Sequence, residues 1–172
     1  MEVTLQNQLG TFRLPKYEEI PAVGLYLEQV VKYIEDALAP IGLAGLTPSM
    51  VSNYVKNGLI ESPVRKQYSR EQIAYLLFVA MAKSIVPLED IRLLFSVQRQ
   101  AYDSKTAYDY FCAEFINVLY FVFGLKPSLD QVGADSTYQK KLLRHTIIAV
   151  AHKIYLEKGF ELVRAARAEA AK

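Results

Sequence analysis

The sequence contains no tryptophan and only one cysteine, Cys112, in 172 residues. A single cysteine excludes a disulfide framework and a metal cage built from several thiolates. Glycine and proline are also scarce, at eight and seven residues, below their usual share of ~12%. Because no extended stretch alternates apolar and polar residues either, we predict an all-α fold.

The sequence also lacks long hydrophobic runs. No stretch approaches eighteen uncharged apolar residues, so we expect no transmembrane segment. Residues 1–8 have no basic stretch followed by an apolar one, so we expect no secretory signal. Since 52% of the residues are hydrophobic, the chain is not of the disordered class. We therefore expect a folded, cytoplasmic protein that does not interact with membranes.

The formal net charge is only +2, but it averages over segments of opposite sign. Residues 1–46 carry −3, residues 47–86 carry +3, residues 87–136 carry −3 and residues 137–172 carry +5. The near-neutral total consequently does not argue against nucleic acid as a partner. The positive C-terminal segment either extends a DNA-facing surface or meets the acidic segments, within the fold or across a dimer.

Local signals divide the chain into helices. We predict an N-terminal arm or irregular lead-in over residues 1–14, and a first helix from about Val23 to Leu38. Thr47 and Pro48 begin a short helix that ends at Asn57-Gly58. Ser69 begins the next helix with a capping box. Pro87 begins a further short helix that ends near Phe95. These elements form a region at residues 15–96.

The remaining region, residues 97–172, is predicted to be a helical bundle. It contains a strongly apolar helix from Tyr108 to Phe123, a long helix from about Thr137 to Lys158, and a separate helix after Gly159. The aromatic residues from Tyr102 to Phe123 have three interpretations. They pack a core, form a homodimer interface, or line a pocket for a small molecule.

The short helix after Thr47 has one polar face without any acidic residue. Hydroxyls, amides and one cation on such a face suit hydrogen bonding to phosphates and base edges. The predicted DNA contacts on the helix are Ser49, Ser52, Asn53 and Lys56, with Tyr54 contacting the DNA backbone through its hydroxyl. Arg65, Lys66 and Arg70 follow within fifteen residues and are predicted to contact phosphates. The competing interpretation is a solvated helix and a solvated basic loop.

This segment resembles the MerR-type winged helix-turn-helix. In that family a short recognition helix ends in a Tyr-x-x-x-Gly-Leu step, and a Pro-x-Arg wing, a tyrosine and a Leu-Glu-Glu-Ile-type helix follow. The matching residues here are Tyr54, Gly58, Leu59, Pro63, Arg65, Tyr68 and residues 88–91. Ser52-Asn53 replace the family's Arg-Tyr pair, and the connection over residues 39–47 is longer than a simple turn of ~3–4 residues.

The chain as a whole resembles a bacterial family catalogued as domain of unknown function 1836. The resemblance covers most of residues 14–160 and is carried by residues 14–21, 46–56 and 68–73. It implies a regulator with this helix-turn-helix, without a known ligand or operator.

Other residue types give weaker signals. His145 and His152 lie seven residues apart, about 10 Å along a helix, which is too far for one metal ion without a third element. Cys112 lies on the most apolar helix and is predicted to be buried as a small hydrophobe. Capping and solvation explain the carboxylates of Glu18, Glu19, Asp103 and Asp109. With no catalytic or phosphate-binding motif present, we expect a non-enzymatic protein without metal or cofactor.

The sequence therefore predicts a homodimeric, sequence-specific transcriptional regulator that binds double-stranded DNA. Its N-terminal MerR-like helix-turn-helix, with a short wing, would pack on a C-terminal helical bundle. The alternatives are a protein-interaction adaptor, or a small-ligand-binding helical protein that keeps this scaffold without binding DNA. A small-molecule effector of the regulator is also left open.

Overall fold

The computed structural model describes residues 6–7, 9–133 and 137–171, and within them the fold is mainly helical. The six α-helices that we number are α1 (Leu27–Leu38), α2 (Pro48–Lys56), α3 (Arg70–Ala82), α4 (Leu88–Ala101), α5 (Ser104–Val122) and α6 (Tyr138–Ala170). Strands β1 (Leu25–Tyr26) and β2 (Gln67–Tyr68) form a small antiparallel sheet. Short 3-10 helices occupy Tyr17–Glu19 and Ala39–Ile41. None of these helices is both long and apolar enough to cross a membrane.

Local capping chemistry begins two of the helices where the sequence predicts. The Thr47 hydroxyl accepts a hydrogen bond of 3.2 Å from the backbone N–H of Met50 at the start of α2. At the start of α3, Ser69 and Gln72 form a reciprocal capping box, with N···O distances of 3.3 and 2.8 Å. These side chains satisfy N–H groups that have no partner within the helix. Both predicted starts are confirmed.

Other boundaries differ from the prediction. Helix α1 begins at Leu27 rather than near Val23, because Leu25 and Tyr26 pair with Tyr68 and Gln67 in the sheet. Helix α4 extends beyond Phe95 to Ala101, and so runs through the predicted region boundary at residue 97. The predicted break at Gly159 is wrong, since α6 is continuous from Tyr138 to Ala170. A glycine within a helix costs only about 1 kcal/mol, which the rest of the helix can offset.

Helix α3 lies at the centre of the core and is buried on almost every side. Helix α5 packs beside it and contributes Phe111, Phe115 and Leu119 to the same buried cluster. Of the predicted N-terminal arm or lead-in, residues 1–5 and 8 lie outside the described residues, and the part from residue 9 onwards joins this cluster. Leu9, Phe12 and Leu14 are at most 5% exposed, and the Phe12 ring meets Phe115 edge-on at 6.3 Å. Residues 9–14 are therefore packed against the core rather than projecting as an arm.

Polar contacts attach α6 and the loop before it to α5. Glu114 on α5 is fully buried, and the Nε atom of Arg144 on α6 lies 2.9 Å from one of its carboxylate oxygens. One helical turn away, the amide of Asn117 exchanges hydrogen bonds of 2.9 and 3.0 Å with the backbone of Asp130. Arg144 thus supplies a counter-charge for the buried Glu114 carboxylate, although no hydrogen bond to its Oε1 atom forms among the described residues.

Candidate nucleic-acid interface

Helix α2 presents one polar face to solvent and buries the other. Val51 and Tyr54 point into the core, at 0% and 5% exposed. The residues on the outer face are exposed, namely Ser49, Ser52, Asn53 and Lys56. The outer face contains no carboxylate, and Lys56 forms no ion pair within the described residues. The structure thus brings four of the predicted contact residues together on one accessible surface.

Asn53 is held in a defined orientation on this face. The side-chain amide of Asn57 donates a hydrogen bond of 2.9 Å to the side-chain oxygen of Asn53, one turn earlier in the chain. The Nδ2 group of Asn53 keeps its two hydrogens, and the oxygen keeps one lone pair. An asparagine in this state can still offer a donor and an acceptor to a base edge.

The connection between α1 and α2 is long but closely packed. Ile41, Leu43 and Leu46 are each less than 10% exposed and anchor the connection in the core. The ammonium group of Lys83 on α3 donates a hydrogen bond of 2.9 Å to the carbonyl of Gly45. Burial lowers the pKa of Lys83. Because hydrophobic and polar contacts both fix this segment, α2 has a definite position relative to α1 and α3.

The basic segment after α2 forms a tight hairpin with two cations at its tip. Gln67 N–H donates a hydrogen bond of 2.9 Å to the Val64 carbonyl, and the two residues between them have positive φ angles, 50° for Arg65 and 65° for Lys66. Two-residue hairpin turns with positive φ at both positions normally contain asparagine and glycine. A left-handed conformation costs other residues roughly 1–2 kcal/mol each. Both side chains are exposed and have no ion-pair partner among the described residues.

Two of the residues predicted to contact DNA, Tyr54 and Arg70, lie less accessibly than the sequence suggested. Tyr54 is buried, and this burial raises the pKa of its hydroxyl. Arg70 is occupied, since its Nε donates to the Ile20 carbonyl at 2.8 Å and its Nη1 pairs with the Glu18 carboxylate. Its guanidinium also stacks 5.6 Å above the ring of Tyr17. Tyr54 packs its ring in the core, and the Arg70 guanidinium already has partners within the fold, so both residues contribute to the scaffold of the site.

The structure adds Arg92 to the candidate site, a residue that sequence reasoning missed. Its Nη2 group on α4 donates a hydrogen bond of 2.5 Å to the carbonyl of Asn57, the residue that ends α2. Gly58 follows with φ of 68°, and a Cβ atom there would lie 3.5 Å from the Arg92 Nη1 group. The 35-residue separation leaves no local signal in the sequence. Arg92 thus fixes the end of the candidate recognition helix.

The remaining groups considered in the sequence do not converge on a site. His145 and His152 are both exposed. Cys112 is buried, as predicted, and burial raises the pKa of its thiol to about 12. Glu19 pairs with Arg13, which holds the pKa of the Glu19 carboxyl at about 2, and the Asp103 carboxylate caps α5 through Thr106. Among the described residues, no group of three or more His, Cys, Asp or Glu could hold a metal ion.

Comparison with known proteins gives one match. The model of a family described as "Domain of unknown function (DUF1836)" matches residues 15–111, which is more than half of the 172 residues. No curated protein and no solved structure matches the chain. The matched segment includes α1 to α4, the hairpin and the first part of α5.

Proposed function

The chain belongs to the DUF1836 family, and we propose that this member binds double-stranded DNA through a MerR-like winged helix-turn-helix and acts in transcriptional control. One observation carries the proposal. An exposed helix face without acidic groups is followed by a strained hairpin, whose tip holds two cations that have no ion-pair partner in the part of the chain that the structure describes. Strain of this kind persists where the surrounding structure enforces it, and it is common at functional sites.

The arrangement of the elements supports a winged helix-turn-helix. Helix α1 packs against α2 and α3, and β1, at the start of α1, pairs with β2, which follows the hairpin. Residue Gly24 lies so close to this hairpin that a Cβ atom there would be 2.8 Å from the Gln67 Cβ. The base of the wing is thereby fixed to the beginning of α1, while its tip extends into solvent.

Each exposed group has a role in this proposal. Asn53 contacts base edges in the major groove, because its oriented amide offers a donor and an acceptor. Ser49, Ser52 and Lys56 bind phosphates or sugar groups beside it, and Arg65 and Lys66 bind phosphates from the wing. Arg70 has no direct part, because the Glu18 carboxylate already neutralises it.

We also propose that two copies bind DNA together through the C-terminal end of α6. Leu156, Phe160 and Val163 occupy one side of this helix and are 55%, 56% and 37% exposed. Apolar side chains at these spacings form the contact seam when two helices pair. A twofold dimer would match a palindromic operator.

The decisive experiment is fluorescence anisotropy of labelled DNA across a salt series. Three cations, Lys56, Arg65 and Lys66, predict a slope of log K against log[salt] of about −0.9 × 3, or roughly −2.7 per protomer. Lys56→Ala should weaken binding to all sequences alike, and Asn53→Ala should reduce the preference among sequences. The matched control is Lys105→Ala, an exposed cation that already pairs with Asp109 at 2.8 Å.

Absence of DNA binding at low salt would overturn the proposal and favour an adaptor that uses the same scaffold for a protein partner. A salt slope that stays unchanged in the Lys56→Ala variant would reject the assigned DNA-facing surface. The control variant should leave both the affinity and the slope at their original values, because its charge lies outside the proposed interface.

A further inference from the structure

A cavity of about 580 Å³ lies between α3, α4, α5 and α6, away from the proposed DNA-binding surface. One wall consists of four aromatic rings in contact. Tyr75 meets Phe95 at 4.6 Å, Phe95 meets Phe78 at 5.7 Å, and Phe78 meets Phe111 at 5.1 Å, measured between ring centroids. Because three helices contribute to this ring cluster, the wall is preformed.

The main polar groups at the cavity already bind one another. The Tyr75 hydroxyl donates a hydrogen bond of 2.8 Å to the side-chain oxygen of Gln98, whose NH₂ group donates to the Tyr102 carbonyl at 2.7 Å. The Ser104 hydroxyl donates to the carboxylate of Glu71. A charged ligand would lose its hydration in this cavity without finding free hydrogen-bond partners in return. Burying such a ligand would therefore cost free energy.

Charged groups of both signs border the cavity and favour neither a cation nor an anion. Glu71 and Asp90 are acidic, and the Lys140 ammonium lies over the rings of Tyr102 and Tyr110, at 5.4 and 4.8 Å from their centroids. The opening itself is apolar. Leu93, Tyr138 and Leu142 stand at its edge and are 61%, 71% and 40% exposed.

We propose that this cavity binds one neutral, largely apolar small molecule that packs against the aromatic wall. Its volume lies within the range of ~300–1,000 Å³ that is usual for small-molecule sites. The segment of α6 that lines it, residues 138–146, precedes the exposed stripe proposed for dimerisation at residues 156–163. In the proposed dimer, the second copy therefore contacts a different segment of α6 from the one that lines the cavity.

The test uses the full-length chain and the neutral fluorescent probe N-phenyl-1-naphthylamine. We expect saturable binding of one probe per chain. Binding should be weakened by roughly tenfold or more when a phenylalanine fills the cavity from either side, in Ala107→Phe on α5 or Thr146→Phe on α6. The matched controls are Ala113→Phe and His145→Phe, which place the same ring on exposed positions of the same helices, outside the cavity.

Circular dichroism and sedimentation decide between the outcomes. Should one filling variant lose its native spectrum, the other, on the opposite wall, provides the result. The proposal is overturned by the absence of saturable probe binding, or by an affinity unchanged in a natively folded filling variant. It is also overturned if the filling substitutions dissociate a dimer while the original chain binds no probe, because a second copy then covers the cavity. The probe measurement does not depend on DNA binding, so the two proposals fail separately.

Discussion

The Nη2 group of Arg92 donates a 2.5 Å hydrogen bond to the carbonyl oxygen of Asn57 and so connects α4 to the end of α2. Asn57 N–H in turn bonds to the Asn53 carbonyl, and its side chain bonds to the Asn53 side chain. The side chain proposed to contact bases is therefore one hydrogen bond away from a residue that α4 holds in place. Helix α4 also lines the apolar cavity, and it is the structural element that the two proposed sites share.

Replacing Arg92 tests this connection. We expect Arg92→Ala to raise the dissociation constant for specific DNA several-fold, because the end of α2 loses its anchor. Arg92→Gln, which keeps a donor, should restore part of the affinity. The salt slope measured by anisotropy should remain unchanged in both variants, since Arg92 acts through Asn57. A slope that becomes shallower by about 0.9 would instead identify Arg92 as a direct phosphate contact.

The wing tip should show opposite effects on stability and function. In the double variant Arg65→Asn with Lys66→Gly, the turn receives the residues that its positive φ angles favour. We expect the free energy of unfolding in urea to rise by about 1–2 kcal/mol. DNA affinity should fall, and the salt slope should become shallower by about 1.8, because two phosphate contacts are lost. Unchanged DNA binding in a stabilised variant would show that the wing is not part of the DNA interface.

Arg70 should behave as a structural residue. Its guanidinium bonds to the Ile20 carbonyl and pairs with Glu18, and its side chain is only 22% exposed. We expect Arg70→Ala to lower the free energy of unfolding by about 1–3 kcal/mol, since it leaves the Ile20 carbonyl without its partner. The salt slope of DNA binding should stay at its original value at a temperature where the variant is folded. A shallower slope would show that Arg70 contacts phosphate after all.

The apolar stripe on α6 provides a test of the dimer. Phe160→Glu should shift sedimentation at micromolar concentration from dimer to monomer, because the paired helices would bury a carboxylate. DNA affinity should fall at the same time, since each monomer contacts only one half-site. Ala165→Glu is the control, as this exposed residue lies on the other side of the helix. Identical sedimentation of Phe160→Glu and the original chain would place the dimer contact elsewhere or exclude it.

The reactivity of Cys112 should depend on pH and on unfolding. Burial raises the pKa of this thiol to about 12 from an ordinary value of 9.0. Since the thiolate is the reactive form, alkylation of the folded protein at pH 8 should be very slow. It should accelerate about tenfold per pH unit between pH 8 and 10. In urea the pKa returns to its ordinary range, and labelling should be complete within minutes.

The raised pKa of the Cys112 thiol also makes the stability of the protein depend on pH. The folded protein keeps the thiol neutral, whereas the unfolded chain ionises above about pH 9. The contribution of the neutral Cys112 thiol to the free energy of unfolding is fully present below about pH 9 and decreases as the pH rises towards 12. The free energies of unfolding in urea of the original chain and of Cys112→Ala should therefore differ at pH 8 and become more similar at pH 10.5. Rapid labelling of the folded protein at pH 8 would contradict the burial of Cys112.

Several features of the fold are visible in neighbouring residues alone. A helix cap is a contact between residues only three positions apart. The helix starts at Thr47-Pro48 and at Ser69, with Gln72, can therefore be predicted from the local sequence. The same locality makes the outer face of α2 predictable, since its hydroxyls and amides recur at helical spacing. The inward position of Tyr54 follows the spacing of Val51 and Leu59, and this pattern offered a signal that its ring would be buried.

Long-range contacts decide the rest. Arg70 meets Glu18 across 52 positions, Arg92 meets Asn57 across 35, and Phe12 packs on Phe115. No local pattern encodes such pairs, because their energy depends on where the chain brings distant segments together. By itself the sequence determined the mainly helical class, the principal caps and a polar, basic segment. Only the tertiary structure decided which cations of that segment have partners within the fold, that Leu9, Phe12 and Leu14 are buried, and that a cavity lies between four helices.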